Sequence, residues 1–258
     1  MQSAPLNERM PPTESPRPVV LITGAARRVG ATIARALHAA GYDLALHYRH
    51  SLADVRALCA DLDTARAGST LPIAAELADV DALPGIVEKC ISRFGRLDAL
   101  VNNASTFFPT PVGEITVAQW DDLFASNARA PLFLAQAAAP HLRAAHGAIV
   151  NLVDIYAQRP LPGHPVYCMA KAALAMMTLA LAKELAPEIR VNGVAPGAVL
   201  WPEAGKSYAD QADLIARTPL QRAGSPDDVA RAVLFLLRDA TFTTGQILAV
   251  DGGRSLAT

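Results

Sequence analysis

The run P-V-V-L-I-T-G-A-A-R-R-V-G occupies Pro18 to Gly30. Its first part, Pro18 to Thr23, is short and continuously apolar, which predicts a strand buried on both faces of a parallel sheet. A helical pattern follows as far as Ala40, with Gly41 as its stop. Between the two, Gly24 permits a tight turn and Gly30 lets the helix pack closely. A helix starting there aims unpaired N–H groups at the space above the strand end, a place for a pyrophosphate. Strand, glycine loop and helix in that order predict the first unit of a doubly wound α/β domain.

The alternation continues along the chain. Strands are predicted at Asp43–Tyr48, Thr70–Ala75, Leu97–Asn102, Ala148–Val153, Ile189–Val194 and Gln246–Val250. Helices are predicted from Ser51, a candidate cap, to about Arg66, over Asp81–Phe94, from about Trp120 to Ala145, over 164–186, and from Ser225-Pro226-Asp227-Asp228 to about Arg238. No composition break divides them, so the expectation is one Rossmann-type domain, residues 18–258, with a seven-stranded parallel sheet. The Pro-rich residues 1–17 read as a flexible tail. Residues 198–224, broken by Pro202 and Pro219, read as a mobile insert over the strand ends.

Just over half of the 258 residues are hydrophobic, enough for a sizeable core, and the net charge of -1 argues against nucleic acid as the main partner. Cys59, Cys90 and Cys168 are odd in number and irregularly spaced, as expected of free thiols in a reducing cytoplasm. No apolar run approaches a membrane span, and the N-terminus has no signal-peptide pattern, so no membrane role is expected. The helices at 120–145 and 164–186 carry more Ala and Leu than one sheet face covers, which hints at subunit packing.

The chemistry concentrates in N-L-V-D-I-Y-A-Q-R-P-L-P-G-H-P-V-Y-C-M-A-K, Asn151 to Lys171. Tyr167 and Lys171 stand four apart on a helix and project side by side. A cation beside a phenol favours the phenolate, so Tyr167 can exchange a proton near neutral pH. Asp154, at the end of the preceding strand, is placed to face the pair. Arg28 at a helix start opposes the helix dipole unless an anion is bound. At the end of the second strand, His47-Tyr48-Arg49-His50-Ser51 offers one cation, two imidazoles and a hydroxyl. A carboxylate there would repel a 2′-phosphate, whereas this set suits one, so NADPH rather than NADH is expected. Asn127 is unusual inside a helix by propensity and is open to reading as a plain exposed side chain; the resemblance described next implies instead a kink or a water held by a carbonyl near Lys171.

Together, T-G-A-A-R-R-V-G, the N-N-A at 102–104, Asn127, Y-x-x-x-K at 167–171, the P-G at 196–197 and the V-D-G-G at 250–253 resemble the short-chain dehydrogenase/reductase family over about residues 18 to 253. Arg28, H-Y-R-H-S at 47–51, N-N-A-S-T-F-F-P-T-P from Asn102 to Pro111, and Asp154 make the chain most similar to the pteridine reductases in that family. The resemblance implies an NADPH-dependent enzyme that takes dihydropterins to tetrahydropterins. Asp154, Tyr167, Lys171 and Asn127 would be catalytic. Cofactor contacts are implied at Gly24, Arg28, Val29, Gly30, His47, Tyr48, Arg49, Ser51, Glu76, Leu77, Asn103, Ala104, Ser105, Tyr167, Lys171, Pro196 and Gly197. Arg28, Ser105, Phe107, Asp154 and Tyr167 would meet the pterin, with Phe107 stacked on its ring. Relatives of this kind are commonly homotetramers.

Asp154 carries the narrower resemblance, because most members of the wider family have Ser at that spacing. A Ser hydroxyl donates to a ketone oxygen as it gains charge, and an ionised carboxylate would repel it. An aspartate suits a substrate protonated at ring nitrogen. One departure is Val199, where pteridine reductases tend to carry Ser; Trp201 and Glu203 would reshape the pocket mouth. Two rival expectations stand: a ketone or 3-oxoacyl thioester reductase of the same fold, and a non-catalytic NADPH sensor, against which the intact Asp154, Tyr167 and Lys171 argue.

Overall fold

The computed structural model describes residues 17–199 and 211–256. Seven strands form one sheet: β1 Val19–Ile22, β2 Asp43–Tyr48, β3 Thr70–Ala74, β4 Ala99–Asn102, β5 Ala148–Leu152, β6 Arg190–Pro196 and β7 Ile247–Val250. Their order is β3-β2-β1-β4-β5-β6-β7, and every adjacent pair is parallel. The helices are α1 Arg28–Ala39, α2 Leu52–Ala65, α3 Leu83–Phe94, α4 Val117–Phe124, α5 Ala130–Ala144, α6 Pro165–Glu184, α7 Gln211–Ala216 and α8 Pro226–Leu234. This is the expected doubly wound sheet.

Both faces of the sheet are covered, and β1 shows why its residues are uniformly apolar. Val20 and Ile22 pack into the core with Ile33 and Leu37 of α1 and Val229 and Val233 of α8. Val19 and Leu21 point the other way, to Ile86 of α3 and Leu134 of α5. Successive strand residues face opposite layers, so a polar residue at either parity would be buried without water. The chain winds outward from β1 to β3, then returns to β4 beside β1. The carboxyl ends of β1 and β4 therefore open a crevice at the switch point, where α/β sheets bind ligands.

Several boundaries follow local chemistry. Gly41 has φ 97°, the left-handed turn that stops α1. Ser225 caps α8 in a reciprocal capping box with Asp228. Ser51 precedes α2 but makes no side-chain cap, so that expectation fails. The helix expected from Trp120 begins at Val117, because Thr116 and Gln119 form a capping box three residues earlier. It also breaks: residues Ala125–Arg129 form a π-helical turn before α5. The extra residue in that turn lets Asn127 face inward, which gives the expected kink its form. Part of the expected insert is ordered as α7, while Trp201 and Glu203 lie outside the described residues. The expected tail lies outside them too, save Arg17.

The expectation about membrane-length runs needs correction. Pro165–Glu184 is 20 residues with mean hydropathy 1.5, long and apolar enough by those measures to cross a bilayer. In the fold this helix packs beside the sheet, with Val166, Ala170, Leu174 and Ala182 buried, and it carries Tyr167 and Lys171 inward. A helix apolar nearly all round is what that position requires.

Candidate active site

The switch-point crevice is a cavity of about 530 Å³. It runs from Arg27, Arg49 and His50 at one end to Tyr167, Lys171 and Pro196 at the other, with Gly24, Gly30 and Asn103 between.

The glycine loop is built for close approach. Gly24 has φ +63°, and a Cβ on it would lie 2.9 Å from the Ala104 Cα. A Cβ on Gly30 would lie 2.2 Å from the Gly24 oxygen and 2.7 Å from Asn103 Nδ2. Thr23 Oγ1 accepts from the N–H groups of Asn103 and Ala104, at 2.9 and 3.0 Å, and Asn103 Nδ2 donates to the carbonyls of Thr23 and Gly24. The β4 end thus clamps the loop after β1. At the start of α1 no side chain caps the N–H groups, and its first turn has no acidic residue. A 12-residue helix presenting its positive end to a cavity over a glycine turn fits a pyrophosphate. Arg28 occupies its position with φ 54°, the left-handed region that the middle glycine of such loops adopts freely. A side chain there costs about 1 kcal/mol or more, which is consistent with a use for the guanidinium.

The 2′-phosphate set divides. Arg49 and Tyr48 line the cavity with His50 and Ser51. Arg49 pairs with Glu76, on the neighbouring strand end, at 2.5 Å. Arg27, which sequence reasoning did not single out, also lines this end and lies 3.8 Å from Asp54. His47 lines the cavity as well, and the correction concerns only its charge. It is buried; its Nδ1 accepts the Gly24 N–H at 3.2 Å, and its Nε2 lies 3.2 Å from the Ala75 carbonyl oxygen. Those partners require the Nε2–H tautomer. Burial lowers its pKa, so the ring is neutral and braces the glycine loop against β3 rather than offering charge to a phosphate. The period-2 pattern of β2 places position 47 inside, a signal available in the sequence.

At the other end, Tyr167 donates its phenolic O–H to Asp154 Oδ2 at 2.7 Å. Asp154 Oδ1 accepts the Tyr156 N–H at 2.9 Å, which starts the short turn after β5. Burial pushes the Asp154 pKa up, outweighing the hydrogen bonds from Tyr156 and Tyr167 and the nearby Lys171 charge. Lys171 is fully enclosed. Its Nζ donates to the Leu152 carbonyl at 2.8 Å and lies 5.8 Å from the centre of the Tyr167 ring. Burial lowers its pKa to about 8, with Asp154 opposing. The expected side-by-side arrangement therefore holds in modified form: the phenol's hydrogen-bond partner is Asp154, and the cation acts through space. Tyr167 and Lys171 line the cavity, and Asp154 stands behind Tyr167.

Asn127 is fully buried, and its side chain is a structural joint. Nδ2 donates to the carbonyls of Leu123 and Thr106, both at 2.9 Å, and Oδ1 accepts from Ser105 Oγ at 2.7 Å. It fastens the 105–106 loop to the π-helical turn, so Ser105 reaches the cavity wall on a fixed backbone. Val29, Leu77, Ala104, Ser105 and Pro196 line the cavity. Gly197 does not. A Cβ there would meet Asp251 Cα at 2.8 Å, so its role is the close passage of the β6 and β7 ends. Phe107 lies beside the site, not on the cavity wall. Its ring stacks on His164 at 4.7 Å and meets Tyr167 edge-on at 4.8 Å. His164 was missed in the sequence, where nothing in its spacing marks it.

A family model described as enoyl-(acyl carrier protein) reductase matches residues 24–255. Pteridine reductase 1 of Leishmania tarentolae is 40% identical over 286 residues, covering 95% of this chain and 99% of that protein. L-xylulose reductase of Caenorhabditis elegans is 37% identical over 243 residues, 92% of this chain and 95% of that protein. A 3-oxoacyl-(acyl-carrier-protein) reductase of Staphylococcus aureus is 34% identical over 238 residues, 90% of this chain and 96% of that protein.

Proposed function

Since the chain belongs to the short-chain dehydrogenase/reductase family, and is therefore an oxidoreductase with a nicotinamide cofactor, we propose that it is an NADPH-dependent pteridine reductase. It takes dihydropterins such as dihydrobiopterin to tetrahydropterins, and extends to dihydrofolate and to oxidised pterins in two steps. The observation that carries this reading is the 2.7 Å contact between Tyr167 and an aspartate whose pKa burial raises. The resemblance to pteridine reductase 1 supports it.

A nicotinamide held over the glycine turn beside Tyr167 would supply a hydride to a ring carbon when bound. The chain supplies the proton that balances it at the adjacent nitrogen. With Asp154 protonated, the Tyr167 contact reverses. The carboxylic O–H donates to the phenol oxygen, and the phenol O–H is released towards the cavity. A proton passed from Tyr167 to nitrogen is then replaced from Asp154, and the new carboxylate faces the Lys171 charge. Holding cofactor, ring and acid in one enclosed crevice supplies the orientation. Arg49, with Arg27 and His50, supports the preference for NADPH, and Arg28 and Ser105 supply polar contacts between cofactor and ring.

Both proton-holding groups move activity in the same direction with pH. Asp154 must be protonated to give its proton, and Lys171 must be charged to stabilise the carboxylate left behind. As pH rises, each is lost, the lysine at about 8. The expected profile of kcat/KM for dihydrobiopterin therefore falls on the alkaline side, with a limb near that value; a rate still rising through pH 9 would contradict the assignment.

The direct test follows NADPH and NADH oxidation with dihydrobiopterin, dihydrofolate, biopterin and an acetoacetyl thioester. Pterin turnover with NADPH is expected. Thioester turnover without pterin turnover would select the second reading, a ketone or 3-oxoacyl thioester reductase, which the 37%- and 34%-identical relatives favour. Tight NADPH binding with no turnover of any of these would select a sensor.

Self-assembly belongs to the same proposal. Met169, Met176 and Leu179 of α6 are 43%, 64% and 44% exposed, and Leu132 of α5 is 41% exposed. An apolar strip on neighbouring helices suits a second copy. Light scattering after size exclusion is expected to give a homotetramer, and Met176→Glu a smaller species; a monomeric wild type would refute it.

A further inference from the structure

We propose that Glu76 sets the balance between the two nicotinamide cofactors: its carboxylate, fixed beside Arg49 in the cavity wall, competes with a cofactor 2′-phosphate for that arginine and holds down the preference for NADPH. The inference rests on the cofactor reading above and adds a specificity-determining residue to it. Arg49 and Glu76 both line the cavity, at the end where Tyr48, His50 and Ser51 gather. Arg49 directly follows β2, and Glu76 comes two residues after the end of β3. Those strands are parallel neighbours, with Tyr48 opposite Ala74, so the residues that follow emerge at one edge of the sheet. Arg49 Nε lies 2.5 Å from Glu76 Oε2 as a result. With the His47 ring neutral and turned to the glycine loop, more of the attraction for a phosphate falls to the arginine.

The carboxylate is anchored on its other side. Glu76 Oε1 accepts the Ala78 N–H at 3.1 Å, and the Asp79 N–H donates to the Glu76 carbonyl at 3.2 Å. That turn is tied to β2 by the Ala75 N–H, which donates to the Tyr48 carbonyl at 3.2 Å. It is tied to the π-helical turn by Arg129, whose Nη2 donates to the Ala78 carbonyl at 3.1 Å. A carboxylate bonded to its own turn stays in place when an anion arrives, so its charge remains in the cavity. One guanidinium then faces two anions. A 2′-phosphate meets an arginine already partly neutralised, and meets the glutamate's repulsion as well. The ribose 2′-hydroxyl of NADH carries no charge and escapes both penalties. The Arg49 and Glu76 side chains are 53% and 42% exposed, so solvent screens the pair. An exposed pair of this kind shifts an equilibrium by up to about fivefold. Such a term tempers a selectivity without reversing it.

The test is equilibrium binding of NADPH and NADH, by fluorescence titration, to the full-length wild type and to the variants Glu76→Gln and Arg49→Met. Glutamine keeps an oxygen for the Ala78 N–H and removes only the charge. Glu76→Gln should lower the Kd for NADPH about three- to fivefold and move that for NADH less than about twofold. The gain should shrink when the titration is repeated in about 0.5 M NaCl, because salt screens an exposed pair. A merely structural role for Glu76 would move both cofactors together and show no such salt dependence. Three results overturn the inference alone: a glutamine variant whose NADPH affinity equals or falls below that of wild type, equal tightening of NADPH and NADH, or a gain unchanged by salt. Arg49→Met tests the reading beneath it, and should weaken NADPH about tenfold while sparing NADH. NADPH affinity unchanged in Arg49→Met would place the 2′-phosphate elsewhere, and would overturn that reading and this inference with it.

Discussion

Asp154→Ser is expected to lower kcat/KM for dihydrobiopterin about a hundredfold or more, with NADPH affinity changed by less than about twofold. The magnitude is that of removing a positioned proton donor. Serine is the right control because it keeps a short polar side chain at the strand end and can still meet the Tyr167 phenol. Its hydroxyl does not ionise in the ordinary pH range, so it cannot give up a proton as a carboxylic acid can. Burial keeps the aspartate pKa high despite two hydrogen bonds and a nearby cation, and no hydroxyl substitutes for that reservoir. NADPH affinity should be indifferent because Asp154 stands behind Tyr167 rather than on the cavity wall. The measurement is steady-state NADPH oxidation beside equilibrium cofactor binding. Pterin turnover within about threefold of wild type would remove Asp154 from the reaction and leave the enzyme a general reductase of its family. A gain in acetoacetyl thioester turnover by the serine variant would fit the same logic, since a hydroxyl donates to a carbonyl oxygen where a carboxylate repels it.

Gly30→Ala is expected to weaken NADPH binding about a hundredfold or more, through backbone displacement rather than through any lost contact. The added methyl would sit 2.2 Å from the Gly24 carbonyl oxygen and 2.7 Å from Asn103 Nδ2. Neither neighbour is the free end of a flexible side chain. The Gly24 carbonyl belongs to the turn itself, and the Asn103 amide holds that turn to β4 with hydrogen bonds of 2.9 and 3.0 Å. Relief of the overlap must open the clamp, and the N–H groups of α1 then lose their aim. Overpacking of this kind also destabilises by about 1–3 kcal/mol, so a fall in Tm of several degrees should accompany the lost affinity. Fluorescence titration with NADPH and a thermal melt test both parts. Wild-type affinity in a folded alanine variant would mean that the cofactor does not lie over this turn.

Where local pattern decides structure, the sequence was read to within a residue or two. The six apolar-to-mixed residues Asp43–Tyr48 form β2 with the expected bounds, and Ser225-Pro226-Asp227-Asp228 forms the expected helix start. The glycines work in the same way: a positive φ at Gly24 or Gly41 is a demand of the backbone at that point. Where the outcome depends on a distant partner, expectation and structure parted. His47 has the composition of a phosphate ligand and the partners of a brace, because Gly24 and Ala75 come to it from two other strand ends. Asn127 is odd in a helix by propensity, but only Ser105, Thr106 and Leu123 together show that it is a joint. Phe107 was legible as an aromatic near the site, and its pairing with His164 was not.

Periodicity, turn chemistry and the four-residue step from Tyr167 to Lys171 act between neighbours along the chain, so the order of residues determined the doubly wound sheet, the glycine turn and the facing of those two side chains. Folding alone decided that the phenol bonds to Asp154, that the lysine is enclosed beneath it, and that one imidazole of the H-Y-R-H run is buried and neutral. Those outcomes depend on which water-excluding groups arrive from elsewhere in the chain. Desolvation, which raises the pKa of Asp154 and lowers those of His47 and Lys171, has no counterpart in a linear string of residues.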